Sequence, residues 1–322
     1  MSEALRWPTA AEVGAARANI MGFARRTPLW RLDAETPGMN IWLKLENLQP
    51  LGSFKIRAAV NAIRTQDPGA LKAGVVGASA GNFGLGLALA GRKLGAPVTI
   101  VAPDTASSAK ISALQGLGAR VIRLPFEAWW RVLEARRCEG VDGVFFHPVA
   151  DRAVIAGNAT IGVEILEDLD RFDAVVVPFG GGGLVSGIAS ILRRERPGLR
   201  VIAAEADTAR PAAAALASGH PIRVEHSPSF VDGIGSGVVL EEMWPLVRAS
   251  VDAAAGASLA EIAGAIRLLA SRCKVIAEGA GAAALAATLA GRAGEGDIVC
   301  IVSGGNIDMA KLGPIIAGHD PI

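Results

Sequence analysis

The residues with the most chemistry to offer fall into four short runs. Lys55 stands in Ser53-Phe54-Lys55-Ile56-Arg57, flanked by apolar side chains. An amine held against such neighbours loses basicity and becomes a usable nucleophile toward carbonyls. Alone it is a weak signal, since a lysine beside a phenylalanine is more often a surface residue laying its stem on apolar carbon. Gly180-Gly181-Gly182-Gly183 is sharper, because it lies between an apolar strand-like run and a helical pattern. Residues without side chains let backbone N–H groups close on an anion, and a helix N-terminus adds about half a positive charge, which suits a phosphate. A merely flexible turn would spend roughly 0.5–1 kcal/mol of order per glycine for no return. The run lacks the Gly-Lys-Ser/Thr of a P-loop and the spacing of a dinucleotide fingerprint. Ser79-Ala80-Gly81-Asn82 falls at another strand-to-helix turn, where a hydroxyl, an amide and free N–H groups suit a carboxylate, or serve as an ordinary N-cap. Ser303-Gly304-Gly305-Asn306 follows a further strand. Ligands gather at such carboxyl ends in open parallel sheets.

The elements that must position these runs alternate as in a βαβ protein. The pattern predicts strands at Ile41–Glu46, Val75–Ala78, Val98–Val101, Arg120–Leu124, Ala174–Val177, Val201–Glu205 and Ile298–Val302. It predicts helices at Ser53–Arg64 with Ser53 as N-cap, Asn82–Leu94, Ser107–Leu117, Ala159–Leu169, Leu184–Arg196, Ala263–Ser271 and Ala280–Leu289. No repeat, long charge block or Gly/Ser linker divides the chain, so two interleaved α/β domains are expected.

Composition excludes several classes. A length of 322 residues allows two ordinary domains with a large core, so no staple is required. Lys plus Arg is 32 against 31 Asp plus Glu, and aromatics are 5% with no Tyr, which argues against a nucleic-acid partner. Cys138, Cys273 and Cys300 are odd in number and show no CxxC spacing, which fits a reducing compartment. The N-terminus has no signal-peptide core. Ala73–Gly91 and Ala174–Leu192 are uncharged, but glycines break each into strand, loop and helix, so no membrane span is expected.

Taken together the runs resemble a known family. Leu43-Lys44-Leu45-Glu46-Asn47-Leu48-Gln49-Pro50, followed by Gly52-Ser53-Phe54-Lys55-Ile56-Arg57, is similar to the lysine segment of fold-type II pyridoxal-phosphate enzymes, within them the threonine/serine dehydratase and serine racemase branch. Thr27-Pro28-Leu29, Ala78-Ser79-Ala80-Gly81-Asn82, His147-Pro148, Ala156-Gly157-Asn158-Ala159-Thr160 with Glu164, Gly180-Gly181-Gly182-Gly183-Leu184, Asp232-Gly233 and Ser303-Gly304-Gly305-Asn306 match in the same order. The resemblance implies an α/β fold like the tryptophan synthase β chain, with two interleaved three-layer αβα domains and mostly parallel sheets. Residues 1–72 plus 152–322 would form the large cofactor domain, and residues 73–151 a small mobile one. It implies that Lys55 holds pyridoxal 5'-phosphate covalently and later moves the substrate's α-proton. Gly180, Gly181, Gly182, Gly183 and Leu184 would hold the phosphate, Asn82 the ring's phenolic oxygen, and Ser303 the pyridine nitrogen. Phe54 and Gly233 would line the two ring faces. Ser79, Ala80, Gly81, Asn82 and Phe83 would form the substrate carboxylate loop. A neutral serine supports a protonated pyridine less than a carboxylate would, so elimination is favoured over transamination.

Departures from the family refine this. Ala80 stands where the racemase branch has a second serine, the base on the opposite ring face, so dehydration is expected and racemisation weak or absent. Phe83 replaces the usual histidine, giving a more apolar pocket wall or simple core packing. Asn158 stands where glutamine is common, and Pro50-Leu51-Gly52 is an altered turn without evident chemical consequence. Of the branch's divalent-metal site, Glu205 fits the first ligand and Ala209 could supply a carbonyl. Pro211 occupies the aspartate position and Asp207 reads as a solvated loop residue, so no metal is expected. His147, His220, His226 and His319 lack ligand spacing and read as surface or capping residues. Ile322 closely follows the last motif, so no C-terminal regulatory domain or feedback through one is expected. The expectation is a cytoplasmic, homodimeric ammonia-lyase acting on a β-hydroxy-α-amino acid such as L-threonine or L-serine. Rivals are the same chemistry on an aryl-serine or hydroxyaspartate, a β-replacement enzyme, whose Ser-Val-Lys-Asp-Arg and Gly-Thr-Gly-Gly flavours do not occur here, and a non-catalytic phosphate-ligand binding protein.

Overall fold

The computed structural model describes residues 5–319. Two sheets organise them. The larger holds β1 (Leu29–Arg31), β2 (Met39–Lys44), β7 (Ala174–Pro178), β8 (Arg200–Ala206), β9 (Ala253–Ala257) and β10 (Gly296–Ile301), in the order β1-β2-β10-β7-β8-β9. Only the edge strand β1 runs antiparallel, pairing Trp30 with Leu43. The smaller sheet is all parallel and holds β3 (Val75–Gly77), β4 (Val98–Pro103), β5 (Arg120–Leu124) and β6 (Val144–Phe146), in the order β5-β4-β3-β6. β7 is buried at every position, which is why Ala-Val-Val-Val-Pro is apolar without alternation.

Helices cover both faces: α1 (Ala10–Ile20), α2 (Lys55–Arg64), α3 (Asn82–Leu94), α4 (Ser108–Gly116), α5 (Phe126–Ala135), α6 (Arg152–Asp168), α7 (Gly183–Glu195), α8 (Pro211–Ser218), α9 (Trp244–Ser250), α10 (Leu259–Leu268), α11 (Gly279–Leu289) and α12 (Met309–Ile316). Thr9 and Glu12 close a capping box on α1, and Asp151 caps α6 through Ala153 and Val154 N–H groups. α11 is the most deeply set, and its Ala/Gly run fits between α10 and the large sheet where bulkier side chains would not.

One core lies on each face of the large sheet, with Ile41, Val176 and Leu285 in one and Val175, Val185 and Ile188 in the other. A third joins α2 and α3 to the small sheet through Ile56, Ile63, Leu87 and Ile100. Each such fully buried side chain contributes ~1.5–3 kcal/mol. α2, which begins with Lys55, therefore packs on the small sheet's own helix, although the sequence expectation places it before that unit. Among the described residues no helix is long and apolar enough to cross a membrane.

Candidate active site

Lys55 opens α2, and the residues before it are stitched to another strand end. Ser53 forms an isolated antiparallel bridge with Gly304, Phe54 N–H donates to the Ser303 carbonyl at 3.1 Å, and Gly305 N–H donates to that of Gly52 at 2.8 Å. The assigned helix starts at Lys55, but Phe54 is already helical, and Ser53 is extended with its Oγ accepting from the Lys55 N–H at 3.4 Å. Ser53 thus caps the helix weakly while its backbone joins the bridge to Gly304. The half-buried Lys55 Nζ donates to the Pro148 carbonyl at 3.0 Å and lies 5.1 Å from the Phe54 ring centre and 5.6 Å from that of Phe83. Burial pushes its pKa down to about 8.

Behind the lysine, α2 is anchored by charge. Arg57 is fully buried and donates to both oxygens of Glu46 at 2.8 Å. It also reaches both oxygens of Glu164 on α6, at 2.6 and 2.9 Å. Buried Lys44 adds bonds of 2.7 Å to Glu164 and to the Thr27 carbonyl. Burial alone would raise the pKa of Glu46, but the Arg57 charge and hydrogen bonds bring it below the usual range. This cluster ties the start of α2 to the end of β2 and to α6.

The four glycines join β7 to α7. Gly182 adopts φ +91°, and a Cβ there would lie 2.6 Å from Val247 Cγ2, so both backbone and space require glycine. At Gly181 a Cβ would lie 2.8 Å from the side chain of Val149, which follows the carbonyl that Lys55 meets. Gly180 approaches Ile234 and Gly233. Among the described residues nothing accepts from the N–H groups of Gly181, Gly182, Gly183 and Leu184. Those free donors at a helix N-terminus fit an anion such as a phosphate. A second helix start, that of α3, leaves the N–H groups of Gly81, Asn82 and Phe83 likewise without a protein acceptor among the described residues. Gly81 faces open space, whereas Ala80 and Phe83 are buried, Phe83 within the core shared by α2 and α3.

Ser303 is 4% exposed, and none of the side-chain hydrogen bonds among the described residues involves its hydroxyl. Asn82 Nδ2 donates to Glu278 Oε1 at 3.0 Å, and its Oδ1 accepts from Asn306 Nδ2 at 2.7 Å. A Cβ on Gly233 would lie 3.3 Å from the same Glu278 oxygen. Glu278 escapes sequence reasoning, though a lone carboxylate opening an uncharged Ala/Gly run was the available signal. Burial and the Asp232 charge push its pKa up to about 7, against the hydrogen bonds it accepts.

His147 is 3% exposed, so it is no surface residue; its Nδ1 accepts from the Val149 and Ala150 N–H groups at 3.2 and 2.8 Å. Burial with the Arg136 and Lys55 charges pushes its pKa down to about 3, which leaves a neutral ring with the proton on Nε2. Glu205 accepts from the Ala212 and Ala213 N–H groups at 2.7 and 3.0 Å, so its carboxyl caps α8. Among the described residues no cluster of three or more His, Cys, Asp or Glu could hold a metal ion.

An amine, two sets of free N–H donors, a buried hydroxyl and an amide with an N–H to spare are the groups a phosphorylated aldehyde and an amino-acid carboxylate require. Known proteins agree. Residues 20–304 match the family described as pyridoxal-phosphate dependent enzyme. An L-threonine ammonia-lyase of Thermotoga maritima is 43% identical over 88% of this chain and 71% of its own length. A catabolic L-threonine dehydratase of Staphylococcus aureus is 37% identical over 95% of this chain and 91% of its own. The crystal structure of serine racemase from Dictyostelium discoideum superposes with a TM-score of 0.86 at 31% identity, covering 94% of this chain and 99% of that one. With its lysine, glycine loop and two-sheet architecture in place, this chain belongs to the pyridoxal-phosphate dependent enzymes, in their threonine/serine dehydratase branch.

Proposed function

We propose that this ammonia-lyase acts on L-threonine, and on L-serine as a second substrate, releasing a 2-oxo acid and ammonia. The observation that carries the reading is Lys55: an amine with its pKa pushed down to about 8, held between two aromatic rings and backed by a loop of free N–H donors. When bound, pyridoxal phosphate supplies the electron sink that stabilises the charge left on the substrate's Cα. The N–H groups of Gly181, Gly182, Gly183 and Leu184 would bind its phosphate, with Gly180 and Gly233 lining the approach. Phe54 would flank the ring, Asn82 would supply an N–H to its phenolic oxygen, and the neutral Ser303 hydroxyl would face its nitrogen. The Ser79–Phe83 loop holds the substrate carboxylate through backbone N–H groups. Lys55 Nζ would hold the cofactor and, with a pKa pushed down to about 8, would take the substrate's α-proton as a base near operating pH. Lys55 Nζ would give that proton to the departing β-hydroxyl, which leaves as water, and hydrolysis of the released enamine yields the 2-oxo acid and ammonia.

Ala80 offers no proton-transfer group, so L-serine is expected to give 2-oxo acid without D-serine. The packing of Phe83 in the α2–α3 core favours a small β-substituent over an aryl group. Residues 73–151 are read as a small domain moving against residues 1–72 plus 152–322, a reading supported by their separate sheet and by exposed ion pairs reaching from them. The three cysteines are free, which supports work in the cytoplasm, and the likeness to the dehydratase branch supports a homodimer.

Lys55→Ala is expected to abolish 2-oxo acid release from both substrates. Borohydride reduction of the holoenzyme followed by peptide mass mapping is expected to place the cofactor on Lys55. Full turnover by the variant, or an adduct elsewhere, overturns the mechanism.

A further inference from the structure

A carboxamide offers different chemistry from its two ends, and which end faces a ligand depends on what holds it. Asn306 lies at the mouth of the site, and its Nδ2 donates to the Leu51 carbonyl at 2.6 Å as well as to Asn82 Oδ1 at 2.7 Å. A carbonyl only accepts, so the Leu51 contact requires that Asn306 turn its NH2 inward. Both of its hydrogens are then committed, and the end of Asn82 that it meets must be the oxygen. Asn82 Nδ2 accordingly points the other way, giving one hydrogen to Glu278 Oε1 at 3.0 Å and keeping one free. The turn before the lysine is shaped for this contact. Leu51 takes φ +65°, rare for a side-chain-bearing residue, and Gly52 takes φ +66° where a Cβ would lie 2.7 Å from Asn306 Oδ1.

We propose that Asn306 and Glu278 are positioning residues for the Asn82 carboxamide, and that together they hold it in the one orientation that leaves an N–H free for the cofactor's ring oxygen. The proposal rests on the reading that Asn82 serves that oxygen.

The two clamps are not redundant. Ionised Glu278 only accepts and so calls for the Asn82 NH2. Its protonated form also donates, and could bond Asn82 Oδ1 if the amide turned over. Burial and Asp232 raise the Glu278 pKa to about 7, while the Asn82 hydrogen bond, the Asn306 backbone N–H and Lys110 pull it down, so both forms occur near neutrality. Asp232 is itself paired with Lys110 at 2.9 Å and faced by Lys311 at 3.9 Å. Asn306 is therefore the element that keeps the amide from following the proton on Glu278.

The test reads cofactor affinity and the absorbance of bound pyridoxal phosphate, each relative to wild type at the same pH, with apo-protein melting as the control for folding. Asn306→Ala is expected to match wild type near about pH 9 and to lose ~10-fold in affinity near about pH 6, where protonated Glu278 competes for Oδ1. Adding Glu278→Gln to that variant is expected to remove the pH dependence. Asn306→Asp, of nearly the same shape, is expected to bind more weakly than Asn306→Ala, because a carboxylate repels both the Leu51 carbonyl and Asn82 Oδ1. A residue that merely filled space would show the reverse order. If Asn306→Ala follows wild type at every pH, or Asn306→Asp binds as tightly as Asn306→Ala, the proposal is overturned. If Asn82→Ala itself leaves affinity and spectrum unchanged, the underlying assignment of Asn82 fails with it.

Discussion

At the scale of single residues, the site is a set of groups moved off their ordinary protonation behaviour by burial. Lys55 and Glu278 move in opposite directions for the same reason, since the low dielectric disfavours whichever form carries charge. For Glu278 this has a measurable sign. Its folded pKa of about 7 exceeds the ordinary 4.5, so between those values the folded apo protein binds more protons than the unfolded chain. The penalty for ionised Glu278 is absent below about pH 4.5, grows as pH rises and is complete above about pH 7. Apo Glu278→Gln should therefore gain stability over wild type across that interval, by a few kcal/mol at most, and then run parallel. Urea denaturation at a series of pH values reads the gap, and a constant difference would count against the burial argument. His147 shifts the other way: its folded pKa of about 3 lies below the ordinary 6.5, so it costs stability as pH falls through that interval. That cost is equal in wild type and in Glu278→Gln and cancels from their difference.

At the scale of elements, the position of Lys55 is that of α2, and α2 is held by Arg57. Replacing Arg57 by Met leaves Glu46 and Glu164 facing each other without their shared partner, which should destabilise the protein by ~3–5 kcal/mol at neutral pH. The loss should shrink toward about pH 4.5, where the orphaned carboxyls can take up protons and neutralise. Arg57→Lys should not rescue it, because an ammonium lacks the planar fork of N–H donors with which Arg57 meets both oxygens of Glu46 and of Glu164. A variant as stable as wild type at pH 7 would mean that the buried charges are held by other means. The glycine loop obeys a different constraint. Gly182→Ala forces a side chain into φ +91° against Val247 and tilts the N–H groups of α7, so phosphate affinity should fall further than overall stability.

At the scale of the whole molecule, the small sheet and its helices contact the rest through different chemistry at different places. Apolar packing joins α2 to α3, whereas Lys110 on α4 reaches Asp232 and Arg136 reaches Glu242 through exposed ion pairs. Exposed pairs of this kind contribute ~0–1 kcal/mol each, too little to lock the small sheet against the large. Lys110→Ala should accordingly change stability by less than ~1 kcal/mol while raising KM for threonine, because it loosens the contact beside Gly233. Unchanged KM, at low and at high salt alike, would show that the pair plays no part in substrate binding. Sequence reading captured the alternation of β and α that builds both sheets, but it missed β1, β6, β9 and helices such as α5 and α8. These are short or edge elements whose form is settled by the neighbours they pack against.

What the amino-acid order determined on its own is the chemistry written in contiguous runs. The lysine among apolar residues, the four glycines after a strand and the Ser-Gly-Gly-Asn loop each depend on spacing along the chain, and spacing is what a sequence shows directly. The tertiary structure alone decided which of those groups meet. Asn82 finds Glu278 at a separation of 196 residues and Asn306 at 224, and Arg57 finds Glu164 at 107. Burial is likewise a property of the assembled layers, so the lowered pKa of Lys55 and the raised one of Glu278 arise only when helices and sheets close over them.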